Sequence, residues 1–267
     1  QFDSFGDVVD YKGELMLTID SLQSRLPMMV DFLKHLVEHE SPSHEKAAVD
    51  RLGSFIAEEM AKLGGDIEVG PVPDRGDLVI ACWPGDPALG QILLLFHMDT
   101  VYPLGTIKER PAVEMDGNLY GPGVLDMKAG MAILAGALSA IREAGEKIQR
   151  PLTALFTSDE EIGSHCSRKL IEELAKESAL VLCMEPAMPD GSLKTWRKGV
   201  GEYTITVRGK AAHAGADHQN GVNAIEEIAR QVLLIQEMTD YERGTTLNVG
   251  VIKGGTASNV VPDSASI

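Results

Sequence analysis

Four segments of the chain end an apolar run on a histidine or a carboxylate. His97 and Asp99 close QILLLFHMD, and Glu160 and Glu161 follow LTALFTSD. Glu185 follows LVLCM, with Pro186 next, and Asp126 lies in YGPGVLDMKAG between a glycine-rich turn and a small-residue stretch. Each has an ordinary explanation alone: a strand-end histidine, a helix cap at Asp126, a solvated turn, a loop acid. Together they are groups of one chemical kind with no lysine among them, and such a cluster repels itself unless cations are bound. Histidine and carboxylates without cysteine form a ligand set for zinc or a similar divalent ion. Their number exceeds what one ion needs and points to two ions sharing a bridging carboxylate. His97 and Asp99 are two apart, so on an extended strand they face the same way. Asp99 is expected to accept the second ring N–H of His97 and fix its tautomer. Glu160 and Glu161 are neighbours whose side chains diverge, one placed to ligate metal and the other to face the attacking water.

The elements that must position these groups are legible in outline. Residues 24–40 and 45–64 read as amphipathic helices, separated by SPS at 41–43 and closed by Gly64 and Gly65. Short β-like runs follow at 66–69, 78–83 and 91–96, and MDGNLY at 115–120 carries a hairpin-turn signal. A helix is expected over 127–144, a strand over 152–156, a helix over 168–177 and a strand over 180–184. This alternation predicts an α/β fold, a mixed sheet flanked by helices, with ligands beyond the carboxyl ends of the strands. The texture changes near 192. LKTWRKGVGEYTITVRG alternates like exposed antiparallel strands, a helix is expected over 222–239, and TTLNVGVIKGG reads as a further strand. The predicted division is a catalytic domain over 1–194 and a smaller α+β domain over 195–267.

The chain has 267 residues, 44% hydrophobic and 24% charged, enough for a sizeable core in one large domain or one and a half. A net charge of −16 argues against nucleic acid and against an anionic membrane surface, since both need a basic patch. Apolar runs such as 91–96 are too short to span a bilayer. QFDSFGDVVD shows no basic-then-apolar leader pattern, although without an initiating Met it leaves room for a removed export signal. Three cysteines without a Cys-x-x-Cys pair make a cytoplasmic location the expectation.

HMDTVYP, GPGVLDMKAGMA, FTSDEEIGS, MEP and GKAAHAG, in this order, resemble the dinuclear zinc aminoacylase/carboxypeptidase family. That family includes glutamate carboxypeptidases, dipeptidases, tripeptidase, acetylornithine deacetylase and succinyl-diaminopimelate desuccinylase. The likeness runs from about residue 24 to the C-terminus, and the spelling HMDTVYP with TSDEE looks most like the glutamate carboxypeptidase branch. The resemblance implies two Zn2+ per subunit, with Co2+ or Mn2+ as alternatives. It implies that His97 and Glu185 ligate one zinc, Glu161 the second, and Asp126 both, across a cis bond to Met127. Glu160 would be the general base and then acid, with Asp99 completing the catalytic set. His213, from the smaller domain, would stabilise the oxyanion in the partner subunit's site, and Asn259 would contact substrate. A homodimer through the small domain is therefore expected. The substrate would be a small peptide or N-acyl amino acid, with release of a C-terminal residue such as glutamate. N-acyl amino acid deacylase, dipeptidase and a non-catalytic dimerising fragment are the alternatives. The family's last zinc-binding histidine is expected beyond Ile267, so both domains read as incomplete.

Other candidates read as ordinary. HLVEH, from His35 to His39, matches the H-x-x-E-H metalloprotease pattern but sits in the first amphipathic helix, where a solvated face is expected. His44, His165 and His218 read as surface residues, Cys166 and Cys183 as core thiols, and Asp159 as part of a turn.

Overall fold

A computed structural model describes residues 18–267. The leader reading of QFDSFGDVVD lies outside the described residues. The chain divides into two compact units at Gly191/Ser192, against the 194/195 boundary expected from sequence.

The first unit begins with α1 (Ile19–Gln23), α2 (Leu26–Glu38) and α3 (Lys46–Lys62). Proline in its first turn starts α2, and the helix buries Leu33, Leu36 and Val37 at helical spacing. The strands are β1 (Asp66–Gly70), β2 (Leu78–Trp83) and β3 (Gln91–His97), followed by α4 (Thr106–Glu109). A hairpin joins β4 (Val113–Met115) to β5 (Asn118–Tyr120). Asp116 and Gly117 at its tip both have positive φ, 52° and 76°, as a two-residue Asp-Gly turn requires. Then come α5 (Ala129–Glu143), β6 (Leu152–Thr157), α6 (Arg168–Glu177) and β7 (Ser178–Cys183).

Five of these strands form a mixed sheet in the order β1-β2-β6-β3-β7. The pairs β1–β2 and β2–β6 are antiparallel, whereas β3 runs parallel to both β6 and β7. Register puts His97 opposite Thr157 and Leu95 opposite Cys183, so the three parallel strands finish at one level. The central strands are nearly continuous apolar runs, as strands covered on both faces are, and Phe96 stacks on Phe156 at 4.8 Å. β7 is an edge strand with Leu180, Val181 and Leu182 exposed.

Regular helix starts at Ala129, later than the sequence suggested. Asp126 (φ −115°, ψ 95°) and Met127 (φ −128°, ψ 31°) are non-helical and joined by a cis peptide bond, so the turn Val124–Lys128 precedes α5 as a separate feature. Val124–Glu143 is long and apolar enough to cross a membrane, unlike the shorter runs read from sequence. In this fold Met131, Leu134, Ala135 and Leu138 on that stretch are buried in the core.

The second unit contains β8 (Thr206–Arg208), β9 (Ala212–His213), α7 (Ala224–Glu237), β10 (Lys253–Gly254), β11 (Val260–Val261) and β12 (Ser264–Ser266). A sheet of order β10-β12-β8 carries α7, whose Ala224 and Ile228 are buried with Ala265, and β9 pairs with β11. The expected strands are much shorter than their alternating patterns. Residues 192–205 carry no strand, and Val200 and Tyr203 are 99% and 85% exposed. Alternation makes a strand only where a neighbour supplies the ladder. Cys166 and Cys183 are also exposed rather than core, because Cys183 ends the edge strand and Cys166 lies in the turn before α6.

Candidate metal centre

The three parallel strands deliver their terminal residues to one place, as open α/β sheets do. His97, the last residue of β3, is buried. Its Nδ1 donates to the main-chain carbonyl of Asp99 at 2.9 Å. Its Nε2 faces Asp126 Oδ1 at 3.1 Å and Glu185 Oε1 at 3.3 Å. The Asp99 carboxylate that the sequence spacing suggested lies on the same side of the ring, its Oδ1 3.5 Å from Nδ1, so the carbonyl and the carboxylate of Asp99 both face this ring N–H, the carbonyl more closely. That carboxylate has other donors. It accepts the Ser43 hydroxyl at 2.7 Å and the backbone N–H groups of Glu160 and Glu161, both at 3.2 Å. Asp99 therefore ties the turn carrying the glutamate pair to the end of β3.

Asp126 and Glu185 approach each other because α5 starts against the end of β7. Met184 N–H donates to Leu95 O at 3.0 Å, which continues the parallel ladder to the residue before Glu185. A Cβ at Gly130, in the first turn of α5, would stand 2.5 Å from the Met184 carbonyl oxygen. Only glycine permits this approach. Lys128, two residues past Asp126, is buried and its Nζ donates to His39 O at 2.9 Å, at the end of α2. Burial pushes its pKa down to about 7 against the opposing charge of Glu40. Sequence reasoning missed this residue. Its signal was a lone lysine inside the apolar run VLDMKAGMAI.

Two sets of ligand atoms result, His97 with Asp126 and Glu161, and His97 with Glu160 and Glu185, each within 4.8 Å. Burial works against a charged His97 ring, but bonds to Asp99 and Glu185 outweigh it and push the pKa up to about 11. For Asp99, burial raises the carboxyl pKa, yet the His97 and Ser43 bonds bring it below the usual value. Glu160 and Glu161 are both held above the usual carboxylate range by desolvation, which the His97 charge opposes and neighbouring carboxylates reinforce. Converging acids of raised pKa around one imidazole are the electrostatic pattern of a site that receives divalent cations, and the oxygen and nitrogen donors present fit such ions.

The His35–His39 pair makes no comparable set. Each Nδ1 donates to the carbonyl one turn back, Asp31 O at 2.9 Å and His35 O at 2.8 Å, and His39 stacks on Phe55. Among the described residues no metal-sized group includes either ring. His44, His165 and His218 are exposed.

His213 and Asn259 lie in the second unit, side by side on the β9–β11 ribbon, where Ala214 N–H donates to Asn259 O at 2.9 Å. Nδ1 of the exposed His213 accepts from Gly215 N–H at 3.2 Å and Ala216 N–H at 3.0 Å. The ring proton is therefore on Nε2, which is left as an outward donor. A cleft of about 290 Å³ beside them is lined by Ala214, His218, Asn223, Ser258 and Pro262.

Residues 93–254 match the sequence pattern of peptidase family M20/M25/M40, a span that includes His97, Asp126, the glutamate pair, Glu185 and His213. The chain belongs to this family. Carboxypeptidase G2 of Pseudomonas sp. (strain RS-16), a curated relative, is 32% identical over 255 residues, covering 90% of this chain and 59% of the relative. The fold is that of solved peptidase structures. Aminopeptidase PepT of Bacillus cereus superposes with TM-score 0.66 at 23% identity, covering 89% of this chain and 64% of that one. A metallo-carboxypeptidase of Sulfolobus solfataricus, described as M20, gives 0.62 at 17% identity, covering 91% and 69%. The chain thus spans under two thirds of the length of this carboxypeptidase G2.

Proposed function

We propose that this chain carries the centre of a metal-dependent amide hydrolase. Its substrates are short peptides or N-acyl amino acids with a free carboxylate, and it releases a C-terminal residue such as glutamate. The observation that carries the proposal is the convergence of His97, Asp126, Glu160, Glu161 and Glu185 at one end of the parallel strands. The likeness to carboxypeptidase G2 supports the carboxypeptidase reading, the release of a C-terminal residue. In this reading the residues would hold two divalent ions, Zn2+ or alternatively Co2+ or Mn2+. His97 and Glu185 would be ligands of one, Glu161 of the other, and Asp126 would be a ligand of both. A bound ion supplies Lewis-acid polarisation of the scissile carbonyl and lowers the pKa of water.

The chain's own residues do the rest. Glu160 takes a proton from the attacking water and delivers it to the leaving amine as the C–N bond breaks. Its raised pKa, from burial and neighbouring acids against His97, brings it toward working pH, which both halves of that transfer need. Asp99 fixes the His97 ring through its carbonyl and the glutamate pair through its carboxylate. The His213 Nε2–H is a donor for the developing oxyanion, and Asn259 beside it is a contact for substrate. The unit carrying them serves as lid and dimerisation domain, so a homodimer supplies His213 to the neighbouring subunit's centre. The acidic surface favours neither nucleic acid nor anionic membrane, and cysteine usage favours the cytoplasm.

A hydrolysis panel of folate-like, dipeptide and N-acyl substrates, with and without chelator, tests this reading and separates carboxypeptidase from dipeptidase or deacylase. Glu160→Gln is expected to lower turnover by roughly 10²–10⁴-fold at unchanged metal content, whereas Glu161→Ala loses metal by elemental analysis. Chelator-resistant turnover, or near-normal rates in Glu160→Gln, would overturn it.

A further inference from the structure

Asp159 is the acid of TSDEE that the proposed chemistry leaves without a part. It is 0% exposed and immediately precedes Glu160. Burying a carboxylate is costly unless donors meet it, and here backbone amides meet one of its two oxygens, Oδ2, while Oδ1 is buried without a hydrogen-bond partner. Oδ2 accepts from Cys166 N–H at 2.6 Å and Ser167 N–H at 3.3 Å, and the Asp159 carbonyl accepts from Ser164 N–H at 2.7 Å. Ser167 occupies the N-cap position of α6 without a side-chain cap bond, so the Asp159 carboxylate, which accepts its N–H, stands at the positive end of that helix. The turn Glu160–Ile162 follows directly and closes at Gly163, whose φ is 97°. From its other side the same turn is held by Asp99, which accepts the N–H groups of Glu160 and Glu161. Asp159 itself belongs to neither set of metal-sized groups among the described residues.

We propose that Asp159 is a positioning residue: by tying residues 164–167 to the start of the glutamate turn, it fixes where the Glu160 and Glu161 side chains point. The consequence for catalysis rests on the hydrolase reading above, but the positioning itself does not. The two buried carboxylates divide the work, Asp99 fastening the turn to β3 and Asp159 fastening it to the start of α6. A residue that only capped α6 would protect the amides of Cys166 and Ser167 and leave Glu160 and Glu161 indifferent to its loss.

The test compares Asp159→Ala and Asp159→Asn in the full-length protein by hydrogen exchange of backbone amides, without metal or substrate. In Asp159→Ala the Glu160 and Glu161 amides are expected to exchange about tenfold faster or more while those of β3 and β6 stay unchanged. Asp159→Asn keeps an oxygen for the same two donors and is expected to restore slow exchange. Should the alanine variant not fold, Ser167→Pro removes one donor at φ −83°, which proline adopts, and is expected to speed both glutamate amides about threefold. Titration with ZnCl2 is expected to show affinity about tenfold weaker in Asp159→Ala and near normal in Asp159→Asn, with kcat falling and KM little changed. Unchanged exchange at Glu160 and Glu161, with only Cys166 and Ser167 opened, overturns the proposal. Failure of the hydrolase reading has a separate signature, an unaltered protein that neither binds zinc nor hydrolyses the panel.

Discussion

At the scale of single residues, His97 decides how the centre takes up an ion. Its Nδ1 is committed to the Asp99 carbonyl, so Nε2 is the atom that faces Asp126 and Glu185. Burial disfavours the charged ring, but the bonds to Asp99 and Glu185 prevail and set its pKa at about 11, above the ordinary 6.5. The sign follows: the metal-free protein gains stability from this proton in full below 6.5 and loses it as pH rises through about 11. An ion that binds Nε2 must displace the proton. Zinc affinity is therefore expected to strengthen with pH across that interval, by up to about tenfold per unit. Calorimetric titration of the metal-free protein near neutral pH, in buffers of different ionisation enthalpy, is expected to show about one more proton released than in His97→Asn. Equal release in the two proteins would remove His97 from the ligand set. The decoy gives the opposite expectation. Replacing His35 and His39 together is expected to leave hydrolysis unchanged, since both rings are engaged with their own helix.

At the scale of elements, the centre depends on α5 starting hard against the end of β7, and two glycines of α5 separate that constraint from helix propensity. Alanine is favoured over glycine in a helix by about 1 kcal/mol. At Gly136 the three atoms nearest the new methyl all belong to the flexible side chain of Met29, with Sδ at 2.6 Å, so propensity wins and Gly136→Ala is expected to be neutral or mildly stabilising. At Gly130 it would meet the Met184 carbonyl oxygen at 2.5 Å, a backbone atom that moves only with Glu185. Overpacking of this kind costs roughly 1–3 kcal/mol, so sterics win and Gly130→Ala is expected to lower both Tm and zinc affinity. Equal melting of the two variants would show that α5 and β7 are not in register at the centre. This contact was invisible in the sequence, because nothing in KAGMA says which backbone the glycine meets. What was legible were the strand ends: QILLLFH, LTALFT and LVLCM carry their polar residues where apolar runs stop, and the sheet brings those ends together. The alternation in GVGEYTITV was legible too and misleading, because pairing depends on a neighbouring strand that a local pattern cannot supply. Asp99 shows the same limit within one residue. Spacing put its side chain on the His97 side, where Oδ1 stands 3.5 Å from Nδ1, but spacing could not say that the carbonyl of the same residue lies closer to Nδ1 or that the same carboxylate also accepts from the glutamate turn.

At the scale of the whole molecule, the centre concentrates negative charge in a chain that already carries −16. Glu160 and Glu161 have pKa values raised above 4.5 by burial, against the His97 charge and with their acidic neighbours. A carboxyl whose folded pKa is raised favours the fold while protonated, and that contribution fades as pH rises above 4.5. Asp99 has the opposite sign. Burial is outweighed there by its bonds to His97 and Ser43, so its contribution is present above 3.8 and lost as pH falls. Without ions, Glu160 and Glu161 therefore favour the fold most in acidic solution and oppose it as pH approaches neutrality. Ions that bind only the folded state reverse this. At a free concentration about a hundredfold above Kd they add roughly 2.7 kcal/mol, equivalent to a Tm rise of about 5–10 °C. The metal-loaded and chelated proteins are thus expected to melt together near pH 4.5 and to diverge as pH approaches neutrality, the loaded form being the more stable. In Glu161→Ala the divergence shrinks, because a ligand and one of the repelling acids leave together. Thermal melts across that pH range read the effect directly, and a gap that stayed constant with pH would mean that the carboxylates at the strand ends are not what the ions relieve.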